Sequence, residues 1–242
     1  MQTDMTVGKP MKMLLNFTIP VFLGNVFQQL YSMADAVIVG KFVGTKGLAA
    51  VGATGTITFL IIGFLMGVTT GVTVLTSQKF GAGRMDEMRK TVGNAAILSA
   101  VIAVVMTAVS MLGMHRLLVF MHTPEDIFDG AYGYIMIICA GIFTQVLYNL
   151  VSSILRALGN SKTPLYFLIL AAGLNIVLDL VFIIFFHWGA PGAAWATVIS
   201  QGVSGVLCLI YMWKAVPELK MKKEDWCFNR DIAVKQISVG IP

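Results

Sequence analysis

The chain has 242 residues, of which 57% are hydrophobic and 12% charged, and its mean hydropathy is +0.82. A soluble domain is about one-quarter charged, so this balance excludes a water-soluble globular fold. The net charge of +5 comes from basic residues gathered between apolar runs, a pattern of membrane topology rather than of nucleic-acid binding.

A spanning helix needs about 20 apolar residues. Six segments qualify, with cores at roughly 14–38, 56–78, 92–114, 130–154, 164–186 and 193–214. The last two share one long run, broken at His187-Trp188-Gly189-Ala190-Pro191-Gly192. The expected fold class is therefore all-α and integral to a membrane. The first run is too long for a signal-peptide core and carries Asn25, Gln28 and Gln29, so no cleavable leader is expected.

In the first span, Pro20 lies about two turns from the start, where proline removes a backbone hydrogen bond and bends a helix. It is a hinge candidate, with a static kink as the alternative. Asn25, Gln28, Ser32 and Asp35 follow at offsets 0, 3, 7 and 10. At about 100° per residue they form one stripe less than about 90° wide. Polar groups in hydrocarbon must face protein or a hydrated cavity, so the stripe is either a cavity wall or polar glue between helices. Asn25, Gln28 and Ser32, together with Gln201 of the sixth span, are candidate substrate-cavity residues.

Gly63, Gly67 and Gly71 repeat every four positions in the second span, a spacing that lets helices approach closely; helix packing is the expected role. Cys139 and Cys208 lie within spans and Cys227 in a polar segment, which indicates no disulfide framework. His115, His122 and His187 sit near span ends without metal-ligand spacing. In the fifth span Asn175 and Asp179 are stacked four residues apart. The sixth offers Thr197, Gln201 and Ser204 on one face, either completing an ion site or cross-linking helices.

Asp35 and Asp179 are the only acidic residues inside the spans, and every Lys and Arg falls in the connections. A carboxylate at membrane depth is costly and marks a functional site by default. Two of them without a buried base point to groups that bind and release a cation or a proton. An oxygen-rich carboxyl and amide pair suits a hard cation such as sodium; equally, the amide N–H can hydrogen-bond the carboxylate and tune its hold on a proton. Phosphate-binding glycine loops, zinc-hydrolase motifs and a credible Ser-His-Asp set are missing. No enzymatic activity and no cofactor are expected beyond a coupling ion, H+ or Na+, and no metal beyond sodium.

Fourteen Lys and Arg residues lie on the N-terminal side of the spans and three on the other, which predicts a cytoplasmic N-terminus. Residues 215–232 then form the longest cytoplasmic segment, expected as a solvated linker. Ile237-Ser238-Val239-Gly240-Ile241-Pro242 resembles the opening of the first span, where a short apolar run also closes on Ile19-Pro20. Internal repeats are common in transporters. The expected organisation is a six-helix lobe over 1–214, a linker over 215–232 and the start of a seventh helix over 233–242, as the first half of a longer two-lobe protein.

Several segments together resemble the multidrug and toxic compound extrusion (MATE) transporters. They are Met33-Ala34-Asp35-Ala36-Val37-Ile38-Val39-Gly40, Gly81-Ala82-Gly83-Arg84, Leu155-Arg156-Ala157-Leu158-Gly159-Asn160-Ser161-Lys162, and Leu174-Asn175-Ile176-Val177-Leu178-Asp179 with Gly192-Ala193-Ala194-Trp195-Ala196-Thr197. The resemblance implies twelve helices in two lobes, of which this chain carries the first. It implies export of organic cations or other toxic amphiphiles across the cytoplasmic membrane in exchange for protons or sodium. By matching motif it assigns Asp35, Asn175, Asp179 and Thr197 to the cation-binding or protonation cluster, and Pro20 to the position where the first helix bends. The expected partners are small amphiphilic or cationic molecules, the lipid bilayer and a second six-helix lobe, with no nucleic acid. A flippase for lipid-linked saccharides and an inactive half-transporter are the alternatives; the first would line its cavity with basic residues.

Overall fold

Long uncharged runs leave the backbone one way to satisfy its polar groups in hydrocarbon, which is to hydrogen-bond within each helix. The computed structural model describes residues 10–240, and no strand occurs among them. Lys9 of the topology count and Ile241-Pro242 of the repeated motif lie outside the described residues, as does the rest of 1–9 at the head of the expected lobe. Eight α-helices follow in order: α1 (Pro10–Phe42), α2 (Thr45–Gly81), α3 (Met85–Phe120), α4 (Glu125–Ala140), α5 (Ile142–Ala157), α6 (Lys162–Leu180), α7 (Gly189–Ala215) and α8 (Arg230–Gly240). Five are long and apolar enough to cross a membrane, and a sixth crossing forms if α4 and α5 count as one bent span.

The bend corrects the expectation of one continuous helix over 130–154. α4 and α5 meet at 46° across Gly141. A Cβ at Gly141 would overlap the side chain of Val198 on α7, so close helix approach requires glycine there. A second departure follows α6, whose last turn widens into a π-helical segment, Val181–Phe185, directly after Asp179. Such turns recur at functional sites because they re-aim neighbouring side chains.

α7 is central, packed against α4, α5 and α6, while α1 rests chiefly on α6. One apolar cluster joins α2, α3, α4, α5 and α7 around Leu65, Leu118 and Ile135. Another, around Met88, Leu155 and Leu158, lies toward the other ends of α2, α3 and α5. α1 is the least embedded span, with 6% of its apolar window buried inside the lobe. Ile38 and Val39 anchor it beside Ile183 and Ala193. The glycine pattern of α2 differs from expectation: Gly71 is buried, but Gly63 and Gly67 lie on an exposed face with no atom near a would-be Cβ. Those two glycines do not mediate packing within this lobe.

The expected solvated linker keeps Lys220, Lys222 and Lys223 exposed but docks on the lobe. Two 3-10 turns, Pro217–Leu219 and Lys223–Trp226, bury Leu219 and Asp225. Asp225 accepts the Lys222 N–H at 2.8 Å and stands 3.6 Å from Arg89. Asn94 of α3 accepts the Asn229 N–H at 2.9 Å, and Asn229 in turn caps α8 through the N–H groups of Asp231 and Ile232. The fully buried Gln236 donates to the carbonyls of Val72 on α2 and Thr91 on α3, each at 2.9 Å. This register depends on Gly93, where a Cβ would overlap the Asp225 carbonyl oxygen. Gly93→Val should therefore expel the linker. Limited proteolysis is expected to cut between residues 217 and 229 much faster than in the parent, and an unchanged cleavage rate would contradict the docking.

Candidate functional site

Asp35 lies near the far end of α1, Asn175 and Asp179 near the end of α6, and Thr197 two turns into α7. These four, separated widely in sequence, converge. The Thr197 hydroxyl donates to Asp35 Oδ2 at 3.4 Å and accepts from Asn175 Nδ2 at 3.4 Å. One hydroxyl thus connects α1, α6 and α7. Asp179 is wholly buried beside them, and its carboxyl neighbours that of Asp35. Asp35 Oδ1, Asn175 Oδ1 and both oxygens of Asp179 are buried without a partner in hydrogen-bond geometry. Among the described residues no Lys, Arg or His forms an ion pair with either carboxyl. No group of three or more His, Cys, Asp or Glu suited to a metal ion occurs among them either.

A buried oxygen without a hydrogen bond costs about 1–3 kcal/mol, and a buried unpaired charge costs several. Four such oxygens in one place, supplied by carboxyl and amide groups, can accept a proton or coordinate a hard cation. They offer no nucleophile and base arrangement for covalent chemistry.

Two further residues complete the surroundings. Tyr31 stands beside Gln201 and near both carboxyls, and Tyr134 of α4 is near the same pair. Tyr31 is one helical turn before Asp35, so the spacing that exposed the α1 stripe also pointed to it. Tyr134 had no such signal, because only the packing of α4 on α7 brings it in. Tyr134 packs against the Ile38–Val39 anchor of α1.

The α1 stripe divides. Asp35 joins the carboxyl cluster, and the Ser32 hydroxyl, exposed, bonds back to the Gln28 carbonyl at 3.0 Å. Asn25 and Gln28 line a separate cleft together with Pro20, Tyr148, Asn149 and Arg156. Gln201, buried on α7, faces the carboxyl cluster by way of Tyr31, and Ser204 is buried one turn further along α7. Pro20 lies inside a continuous α1 at the mouth of the cleft. The expectation that every basic residue sits in a connection is corrected: Lys41, Lys79, Arg89 and Arg116 lie in helix ends, and Arg156 belongs to the last turn of α5 and lines the cleft.

Asp179→Asn preserves the shape and removes a carboxyl that nothing pairs. In detergent the variant is expected to melt a few degrees above the parent. A lower midpoint would contradict an unpaired buried carboxyl.

Comparison with known proteins gives one consistent answer. The MatE family model matches residues 20–181. A probable multidrug resistance protein of Bacillus subtilis, YpnP, is 33% identical over 211 residues, covering 87% of this chain and 47% of that protein. The probable multidrug resistance protein NorM of Thermotoga maritima is 28% identical over 96% of this chain and 50% of its own length. Among solved structures, a MOP superfamily transporter from Pyrococcus furiosus superposes with a TM-score of 0.90 at 28% identity, covering 97% of this chain and 52% of that one. The chain spans about half the length of the curated relatives it matches.

Proposed function

Because this chain belongs to the MatE family of multi-pass membrane transporters, we propose that it forms the ion-coupling lobe of a secondary antiporter. The antiporter expels amphiphilic organic cations across the cytoplasmic membrane in exchange for protons or sodium. A second six-helix lobe, reached through the docked linker after α7 and through α8 (Arg230–Gly240), is its partner. The N-terminus lies in the cytoplasm, on the side that carries the excess of Lys and Arg.

The observation that carries this reading is the Asp35–Thr197–Asn175 chain with Asp179 buried beside it and no base in reach. Two carboxyls this close in a low-dielectric interior repel one another when both are charged. An outward-facing lobe therefore takes up a proton or a sodium ion between them. Uptake neutralises the wall that attracted an organic cation, which lowers its affinity and lets it leave outward. Release of the ion to the cytoplasm restores the charge and the next cation binds. Exchange follows because ion and drug compete for the same negative charge, a coupling that is reciprocal by linkage. A flippase for lipid-linked saccharides is less well supported, since the cleft offers one basic group, Arg156.

The test is ion-driven dye efflux from cells or vesicles carrying the full-length protein. Asp35→Asn and Asp179→Asn, each at matched expression, are expected to abolish efflux while leaving the protein in the membrane. Parental efflux in both variants would overturn the coupling role, and no efflux by the parent would favour an inactive half-transporter.

A further inference from the structure

The segment between α7 and α8 is held at a defined depth in the lobe. After Lys90, α3 carries no charge until Arg116, so Thr91 marks where the helix enters apolar surroundings. The linker docks at that boundary. The Asp225 carbonyl oxygen lies against the bare backbone of Gly93, and the Cys227 carbonyl accepts from Asn94 Nδ2 at 3.4 Å. The Asn229 N–H donates to Asn94 Oδ1 at 2.9 Å. Gly93 and Asn94 follow Lys90 by three and four residues, about 5–6 Å along the axis. Residues 225–229 therefore run at the level where lipid headgroups meet hydrocarbon.

Cys227 is extended, and along an extended backbone alternate residues face opposite ways. With the backbones of Asp225, Cys227 and Asn229 set against α3, the intervening Trp226 and Phe228 remain 53% and 57% exposed. Exposed rings are costly in water, and Trp settles at the boundary between headgroup and acyl chain. The charge around them is basic. From Lys214 to Lys235 there are six Lys and Arg residues against four acids, and one of those acids, Asp225, is buried beside Arg89. Lys220, Lys222 and Lys223 are exposed, and none of them forms an ion pair among the described residues. The docking that hides Leu219 and Asp225 thus leaves two rings and three ammonium groups exposed on one short segment.

We propose that this segment is a lipid-docking surface. Trp226 and Phe228 enter the acyl-chain boundary of the leaflet on the N-terminal side, and Lys220, Lys222 and Lys223 hold the phosphates of anionic phospholipids there. Apolar insertion and attraction to anionic headgroups add in such interfacial elements, and a basic cluster beside a span selects anionic lipid. The competing occupant is the second lobe, whose contact with the rings would be indifferent to headgroup charge. The three lysines favour lipid, because an anionic leaflet supplies opposite charge along the whole segment. The inference needs only a membrane-spanning lobe and stands apart from the exporter reading.

The test places full-length protein in bilayers carrying acyl-brominated lipid, which quenches tryptophan on contact. One series titrates brominated phosphatidylglycerol into plain phosphatidylcholine, and the other titrates brominated phosphatidylcholine into plain phosphatidylglycerol. The Trp226 signal is the difference between the parent and Trp226→Phe. One lysine near the surface favours anionic lipid by about fivefold, so Trp226 quenching is expected to reach its midpoint at a brominated fraction at least about fivefold lower in the first series. Replacing Lys220, Lys222 and Lys223 together by Gln is expected to bring the two curves together, whereas replacing all three by Arg is expected to keep them apart. Identical curves in the parent would overturn the assignment, and so would a preference that survives the glutamine variant. Absence of Trp226 quenching in both series would place the rings against the second lobe or in water, and overturn it as well.

Discussion

The architecture depends on how two carboxyl groups are held in the apolar interior with no basic partner among the described residues. Asp179 is wholly buried, Asp35 has one buried oxygen without a partner, and a single threonine hydroxyl stands between Asp35 and Asn175. Every other feature near the site serves that arrangement. The π-helical turn after Asp179 shifts the helix register just where the carboxyl is aimed. Gly141 lets α5 and α7 approach until their side chains interleave, which sets the height of Thr197. The result is an oxygen-rich site with unmet demand for positive charge, and that demand is what an ion gradient can act on.

The same constraint explains why α1 is lightly held. Ile38 and Val39 are its buried anchors near Asp35, Pro20 is buried and Gly24 lies close to Leu165 and Leu168 of α6, and much of its remaining apolar surface is exposed. A change of charge at Asp35 therefore acts on α1, which carries Pro20 inside it, and on α7 through the Thr197 hydroxyl. By contrast α2, α3 and α8 are tied together through Gln236, Asn94 and the buried Asp225.

Much of this was legible in the residues. Spacing alone put Asp35 on a polar stripe and stacked Asn175 on Asp179, because helical periodicity converts offsets into faces and an acid inside an apolar run has no bland explanation. Thr197 was weaker, since hydroxyls occur throughout membrane helices; its role became visible when α7 was seen to contact α1 and α6. Features set by contacts between distant segments were not legible. The need for glycine at the α4–α5 break shows only against Val198 of α7, and the fit of the linker depends on Gly93 opposite Asp225. Tyr134 is brought in by the packing of α4 on α7. Arg156 was assigned to a connection because charge marks span ends; helix α5 continues past the apolar run and carries it into the cleft. The outward face of Gly63 and Gly67 likewise needed three dimensions, since a small-residue repeat states that something approaches closely but not from which side.

The central claim is that ion and substrate compete for one negative charge. It is tested most directly by titrating a fluorescent organic cation into the purified full-length protein while proton or sodium concentration is varied. The account predicts that dye affinity falls as either coupling ion rises, and that this dependence disappears in Asp179→Asn. Ion-dependent displacement of the dye that persists in Asp179→Asn would contradict it.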